Sequence, residues 1–224
     1  MKRHFDDELK NLNNNLLRMA IFSEEAIYKS VEALKNRDKN LALKVIEDDK
    51  KIDELELLIE EAAINLLALR QPMARDLRFI TTGMKINAEL ERIADLAVNI
   101  SQNVLELADE PLLKPLIDIP KLTVIARQMV KKSIDAFIER DEKMAQEVIL
   151  NDCEADKLRD LIQKELTDEY MVKDGTTAPR AIPLLLVARH LERICDHATN
   201  IAEDVIYMVR AKVVKHHFEE LKNE

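Results

Sequence analysis

One stretch of this chain occurs twice, and no other feature narrows its folding options as much. Glu91-Arg92-Ile93-Ala94-Asp95-Leu96-Ala97-Val98-Asn99-Ile100 returns 101 positions later as Glu192-Arg193-Ile194-Cys195-Asp196-His197-Ala198-Thr199-Asn200-Ile201, with seven of ten positions identical. Both copies read E-R-I-x-D-x-A-x-N-I, which points to duplication of a structural unit. On a helix advancing about 100° per residue, Ile86, Leu90, Ile93, Ala97, Ile100 and Val104 gather into one apolar stripe. Glu91, Asp95 and Asn99 form a polar strip on the other side. Each copy therefore predicts a helix that faces a core while turning two acids and an amide outward.

The duplication extends beyond the motif. Arg37-Asp38, Val45-Ile46, Asp49 and Asp53 recur 103 residues on as Arg140-Asp141, Val148-Ile149, Asp152 and Asp156. Apolar residues at helical spacing (Leu9, Leu12, Leu16, Met19, Ala20, Ile27, Val31, Leu34) predict a first helix over about Asp6–Lys35. A second spans about Lys39–Leu69 on Val45, Ile52, Leu55, Ile59, Ala62, Ala63 and Leu66, with Asp38 as its cap. Pro72 opens the third, which ends near Ala108. Three long helices joined by short turns are most economically an antiparallel bundle. The prolines between Asp109 and Pro120 mark a linker, after which the pattern restarts. Asp174-Gly175 closes the fifth helix, and Pro179 and Pro183 lie in the opening turns of the sixth. The expected fold is all-α: two tandem, pseudo-symmetric three-helix bundles of six long helices, over 1–110 and 121–224, joined by a Pro-rich linker at 111–120.

Composition limits the function classes. With two glycines and no tryptophan, few close backbone approaches to a nucleotide are available. The net charge of −9 disfavours nucleic acid and favours cations or basic protein surfaces. No apolar run approaches the roughly 18 residues of a membrane span, and the amino-terminal residues lack the apolar core of a secretory signal. The expectation is a cytoplasmic protein without membrane insertion. Cys153 and Cys195 read as small apolar residues rather than a disulfide. Lys212, Lys215, His216 and His217 put positive charge in the last turns of the sixth helix, where its dipole favours it.

The acids carry the functional signal. Asp49/Asp53 and Glu91/Asp95, then Asp152/Asp156 and Glu192/Asp196, are i,i+4 pairs that stack on one helix face and repel by about 0.2–0.5 kcal/mol each. Pairs from two helices brought together need protons or a cation, and their hard oxygens suit Mg²⁺, Ca²⁺, Mn²⁺ or iron. Asn99 and Asn200 extend each strip and could add a carbonyl oxygen. In so charged a chain a single such pair is ordinarily solvated surface; recurrence in both halves argues for the metal. The neighbouring Glu56 and Glu60 become Arg159 and Gln163 in the second half, so the strip beside the motif diverged while the motif did not. Arg92 and Arg193 adjoin the acids and read as neutralising partners, and His197 as a boundary histidine in the place of Leu96. No Glu-x-x-His, glycine-rich phosphate loop, Cys-x-x-Cys or H-E-x-x-H occurs, so no catalytic residue is expected and the chain reads as a non-enzyme.

These residues resemble the PhoU family of bacterial phosphate-uptake regulators over essentially the whole chain. The carriers are Leu69-Arg70-Gln71-Pro72, Asp76-Leu77-Arg78, ERIADLAVNI, and ERICDHATNI followed by Ala202-Glu203-Asp204. Ala94 and Cys195 stand where the family often has glycine. The resemblance implies paired three-helix bundles with metal clusters (iron, zinc, magnesium or manganese) at Asp49, Asp53, Glu91, Asp95, Asp152, Asp156, Glu192 and Asp196. It also implies negative regulation of phosphate uptake and of the phosphate-starvation response, with two partners, the ATPase of the phosphate ABC transporter and the phosphate-sensor histidine kinase, and a homodimer in some members. A metal-dependent phosphate-ester hydrolase and a metal-free structural adaptor are the rival readings.

Overall fold

A computed structural model describes residues 2–211; Lys212, Lys215, His216 and His217 lie outside the described residues. All regular elements among those described are helical. They are α1 (Lys2–Asn36), α2 (Lys39–Asp48), α3 (Lys50–Arg70), α4 (Ala74–Leu107), α5 (Asp118–Glu139), α6 (Glu142–Lys164) and α7 (Ala178–Arg210). The six expected helices are present, the second divided at Asp49 into α2 and α3. After α6 the chain widens into a π-helical segment, Glu165–Met171, in which Val172 N–H reaches the Thr167 carbonyl at 2.9 Å. Residues 109–117 form no regular helix.

The duplication is visible hydrogen bond by hydrogen bond. Arg37 and Arg140 both adopt the left-handed conformation, at φ 55° and 54°. Asp38 N–H reaches Ala33 O, and Asp141 N–H reaches Ala136 O, both at 2.9 Å. The preceding arginine amides bond Leu34 O and Phe137 O at 3.3 Å. This is the Schellman closure, normally built on glycine. The aspartate then caps the following helix: Asp38 accepts from Leu41 N–H, and Asp141 from Lys143 and Met144 N–H. Each arginine side chain is also engaged, Arg37 donating to Ala108 O at 3.0 Å and Arg140 lying 5.0 Å from the Phe79 ring.

The two motif helices, α4 and α7, form the most extensive helix pair; α1 and α3 pack on α4, and α5 and α6 on α7. The apolar stripe expected on α4 is where it should be, with Ile86, Leu90, Ile93, Ala97, Ile100 and Val104 all buried. Leu191, Ile194, Ala198 and Ile201 repeat it on α7. Buried residues of both halves join in one apolar cluster, across which Phe79 stacks on Phe137 at 4.9 Å. Each buried Leu or Ile contributes about 1.5–3 kcal/mol. Gly83 lets α1 come close to α4, since a Cβ there would meet Leu16 at 3.2 Å. The other residues that carried the resemblance act as ties. Arg70 grips Glu8 with two hydrogen bonds, at 2.8 and 2.7 Å, and Arg78 donates to Met208 O near the end of α7.

Candidate functional site

In the first half, the acids come from the α2–α3 junction and the middle of α4. Asp49 keeps helical backbone angles, but its carbonyl accepts from both Ile52 N–H at 2.7 Å and Asp53 N–H at 3.1 Å, a locally tightened turn. Asp49 and Glu91 are half-buried, Asp53 and Asp95 exposed. Burial, then the charges of Asp53 and Asp95, push the Asp49 carboxyl up to about 6. Burial also raises Glu91, helped by Asp95 and Glu56 and opposed by Arg92. The expected acids of this half therefore lie within electrostatic reach of one another. Asn99 is half-buried, and its backbone carbonyl accepts from Asn103 at 2.8 Å.

The second half repeats the arrangement with one intrusion. Asp152 is raised by burial and by Asp156 and Glu192; Asp196 by burial and by Asp152 and Asp156. Glu192 is raised by burial and Asp196, while Arg159 opposes the rise. Arg159 lies inside this cluster, its Nη2 donating to Glu192 at 3.2 Å and standing 3.6 Å from Asp156, its Nη1 on Asp160 at 2.6 Å. Cys195 is fully buried, and burial with the surrounding acids drives its thiol pKa up, so it is a neutral packing residue. Cys153 is exposed and donates to the Leu150 carbonyl.

Between the two motif helices lies a contact that no single-helix periodicity could display. His197 Nδ1 stands 2.6 Å from Glu89 Oε2 on α4, and Asn200 Nδ2 donates to the same oxygen at 3.2 Å. Burial pushes Glu89 up, but these two partners outweigh it and hold the carboxyl below its ordinary value. The boundary histidine thus ties the halves together, and the Asn200 amide is already engaged. Arg92 also turns to Glu89, at 3.3 Å. Lys85 bridges the halves a second time, to the buried Asp204 at 2.9 Å.

The donor chemistry fits a hard divalent cation. Each patch supplies carboxylate oxygens from two elements, and burial together with like-charged neighbours raises Asp49 and Glu91 in the first and Asp152, Glu192 and Asp196 in the second, which is the condition a bound cation relieves. The side chains as they stand do not close a ligand shell: among the described residues no group of three or more His, Cys, Asp or Glu is arranged to hold a metal. Asp53, Asp95 and Asp196 are exposed acids, with rotamer freedom to close. Sequence reasoning missed Glu89 and the reach of Arg159. The Glu56-to-Arg159 difference was legible, but its target on a neighbouring helix was not.

The family model for the PhoU domain matches residues 16–104 and again 119–205. The phosphate-specific transport system accessory protein PhoU homolog of Aquifex aeolicus is 41% identical over 217 residues, covering 97% of this chain and 98% of that protein. A PhoU homolog of Thermotoga maritima is 34% identical, covering 99% and 94%. The crystal structure of PhoU from Pseudomonas aeruginosa superimposes with a TM-score of 0.88 at 34% identity, over 93% of this chain and 100% of that one.

Proposed function

Because the chain belongs to the PhoU family, we propose that it is a non-enzymatic regulator of phosphate uptake that restrains phosphate transport and the phosphate-starvation response. Its relatives are named as accessory proteins of the phosphate-specific transport system, and no described helix is long and apolar enough to cross a membrane. On this reading it acts in the cytoplasm by docking on the transporter's ATPase and on the phosphate-sensor histidine kinase. The observation that carries the reading is the doubled acidic patch, present on matching elements of both halves. Asp49, Asp53, Glu91 and Asp95 would hold a cation in the first half, and Asp152, Asp156, Glu192 and Asp196 in the second. A hard cation bound there would add to the counter-charge that Arg92 gives the first patch and Arg159 the second.

The chain's own residues set the terms. The α4–α7 pairing holds the two patches in a fixed relation, so a partner meets two charged faces at a constant spacing. Arg159 competes for Glu192 in the second half, making its patch the weaker cation site. The test is deletion of the gene with transcript measurement in phosphate-rich medium. Derepression of phosphate-starvation genes is expected; continued silence would contradict the proposal.

A further inference from the structure

A cleft of about 640 Å³ lies beside the second acidic patch. It is lined by Arg159, Gln163, Arg189 and Arg193, with Glu192 and Asp196 on one wall. The corresponding first-half positions of Arg159, Gln163 and Arg189 are Glu56, Glu60 and Ala88. Each difference makes the second half less acidic or more basic, in a chain whose net charge is −9. The motif acids were kept throughout.

The guanidiniums are not used up by the fold. Arg189 and Arg193 are i,i+4 neighbours on α7, so their side chains stack on one face and repel by a few tenths of a kcal/mol. Neither makes a hydrogen bond or ion pair among the described residues. Arg159 spends its Nη atoms on Glu192, Asp156 and Asp160, and its buried Nε has no hydrogen-bond partner among the described residues. Planar guanidinium forks match tetrahedral oxyanions, and charge-assisted bonds to them are roughly twice as strong as neutral ones.

The geometry points to a small phosphoryl oxyanion bound in this cleft by Arg189 and Arg193, with Arg159 adding positive charge at the cleft wall, either inorganic phosphate or the phosphoryl end of a small phosphorylated metabolite. Among the described residues no aromatic side chain lines the cleft, so a nucleobase would find no stacking platform on them, and inorganic phosphate is the favoured source. The site shares Glu192 and Asp196 with the second acidic patch, so a cation held there would add positive charge beside the anion, and it gives the two halves different ligands.

The test is isothermal titration of the full chain with orthophosphate, pyrophosphate and ADP separately, in EDTA at fixed ionic strength, so that metal binding cannot contribute. We expect saturable binding of at least one probe at one per chain. It should weaken about tenfold or more in Arg189→Gln/Arg193→Gln, as loss of charge-assisted bonds predicts, and stay unchanged in the first-half control Arg92→Gln. Circular dichroism checks that these exposed substitutions leave the fold intact. The probe that binds best identifies the source. Absence of binding by all three at millimolar concentration, or equal binding by the double variant, overturns the inference. Either result would leave the metal-dependent regulatory reading standing.

Discussion

The acidic faces of α4 and α7 carry the same motif but present different electrostatics. Around Glu91 the neighbour on α3 is Glu56, another negative charge that raises it further. Around Glu192 the neighbour on α6 is Arg159, which hydrogen-bonds to it. Ala88 on one face corresponds to Arg189 on the other, which makes no hydrogen bond or ion pair among the described residues. Below the surface the halves are alike, from the Schellman closures at Arg37 and Arg140 to the apolar stripes beneath each motif. Duplication kept the packing and the acids, and divergence acted on the residues beside them. A site is thus specified by its surroundings as much as by its motif.

The largest expected effect tests the shared core. Leu90 and Leu191 are equivalent and fully buried. Leu90→Ala and Leu191→Ala should each cost about 2–5 kcal/mol. Because one apolar cluster joins the halves, each variant should unfold in a single denaturant transition; two separate transitions would break the comparison at its base. Next comes an exchange of the diverged neighbours. Arg159→Glu should raise the second patch's Mn²⁺ affinity, and Glu56→Arg should lower that of the first, each by about tenfold, the lower end of what residues around a metal site contribute. Titration calorimetry on each single variant reads this.

A smaller effect is expected at the seam. His197→Leu restores the residue type of Leu96 and leaves Glu89 with less of its hydrogen bonding, at a cost of about 1 kcal/mol by chemical denaturation. The smallest concerns protons. Asp49 holds its proton more tightly folded than unfolded, up to about 6 against an ordinary 3.8. Its contribution to stability is therefore fully present below about pH 4 and is lost as pH rises through about 6. Asp49→Asn in EDTA should flatten this slope and stabilise the chain at pH 8 by less than about 1 kcal/mol, since solvent screens the half-buried charge. A variant less stable than wild type at pH 8 would contradict the placement of these acids.

The helix faces were legible because the 3.6-residue period of Leu90, Ile93, Ala97 and Ile100 depends on one helix alone. The turn at Arg37-Asp38 was legible through its cap. The interruption at Asp49 was not, since the backbone keeps helical angles there and neither Gly nor Pro marks it. The π-helical segment at Glu165–Met171 carries no such mark either. Asp49 feels the charges of Asp53 and Asp95, and Asp152 those of Asp156 and Glu192. The contacts of Glu89, His197 and Arg159 were invisible, because each joins residues on different helices whose relative rotation no single period encodes.

The central claim is that each acidic patch holds a cation and that the first holds it more tightly. Titration of EDTA-stripped protein with Mn²⁺, in wild type, Asp49→Asn/Asp95→Asn and Asp152→Asn/Asp196→Asn, tests it most directly. Two classes of site are predicted, the tighter one lost in the first variant and the weaker in the second. Wild type and both variants binding Mn²⁺ alike, or none binding it, would contradict the account.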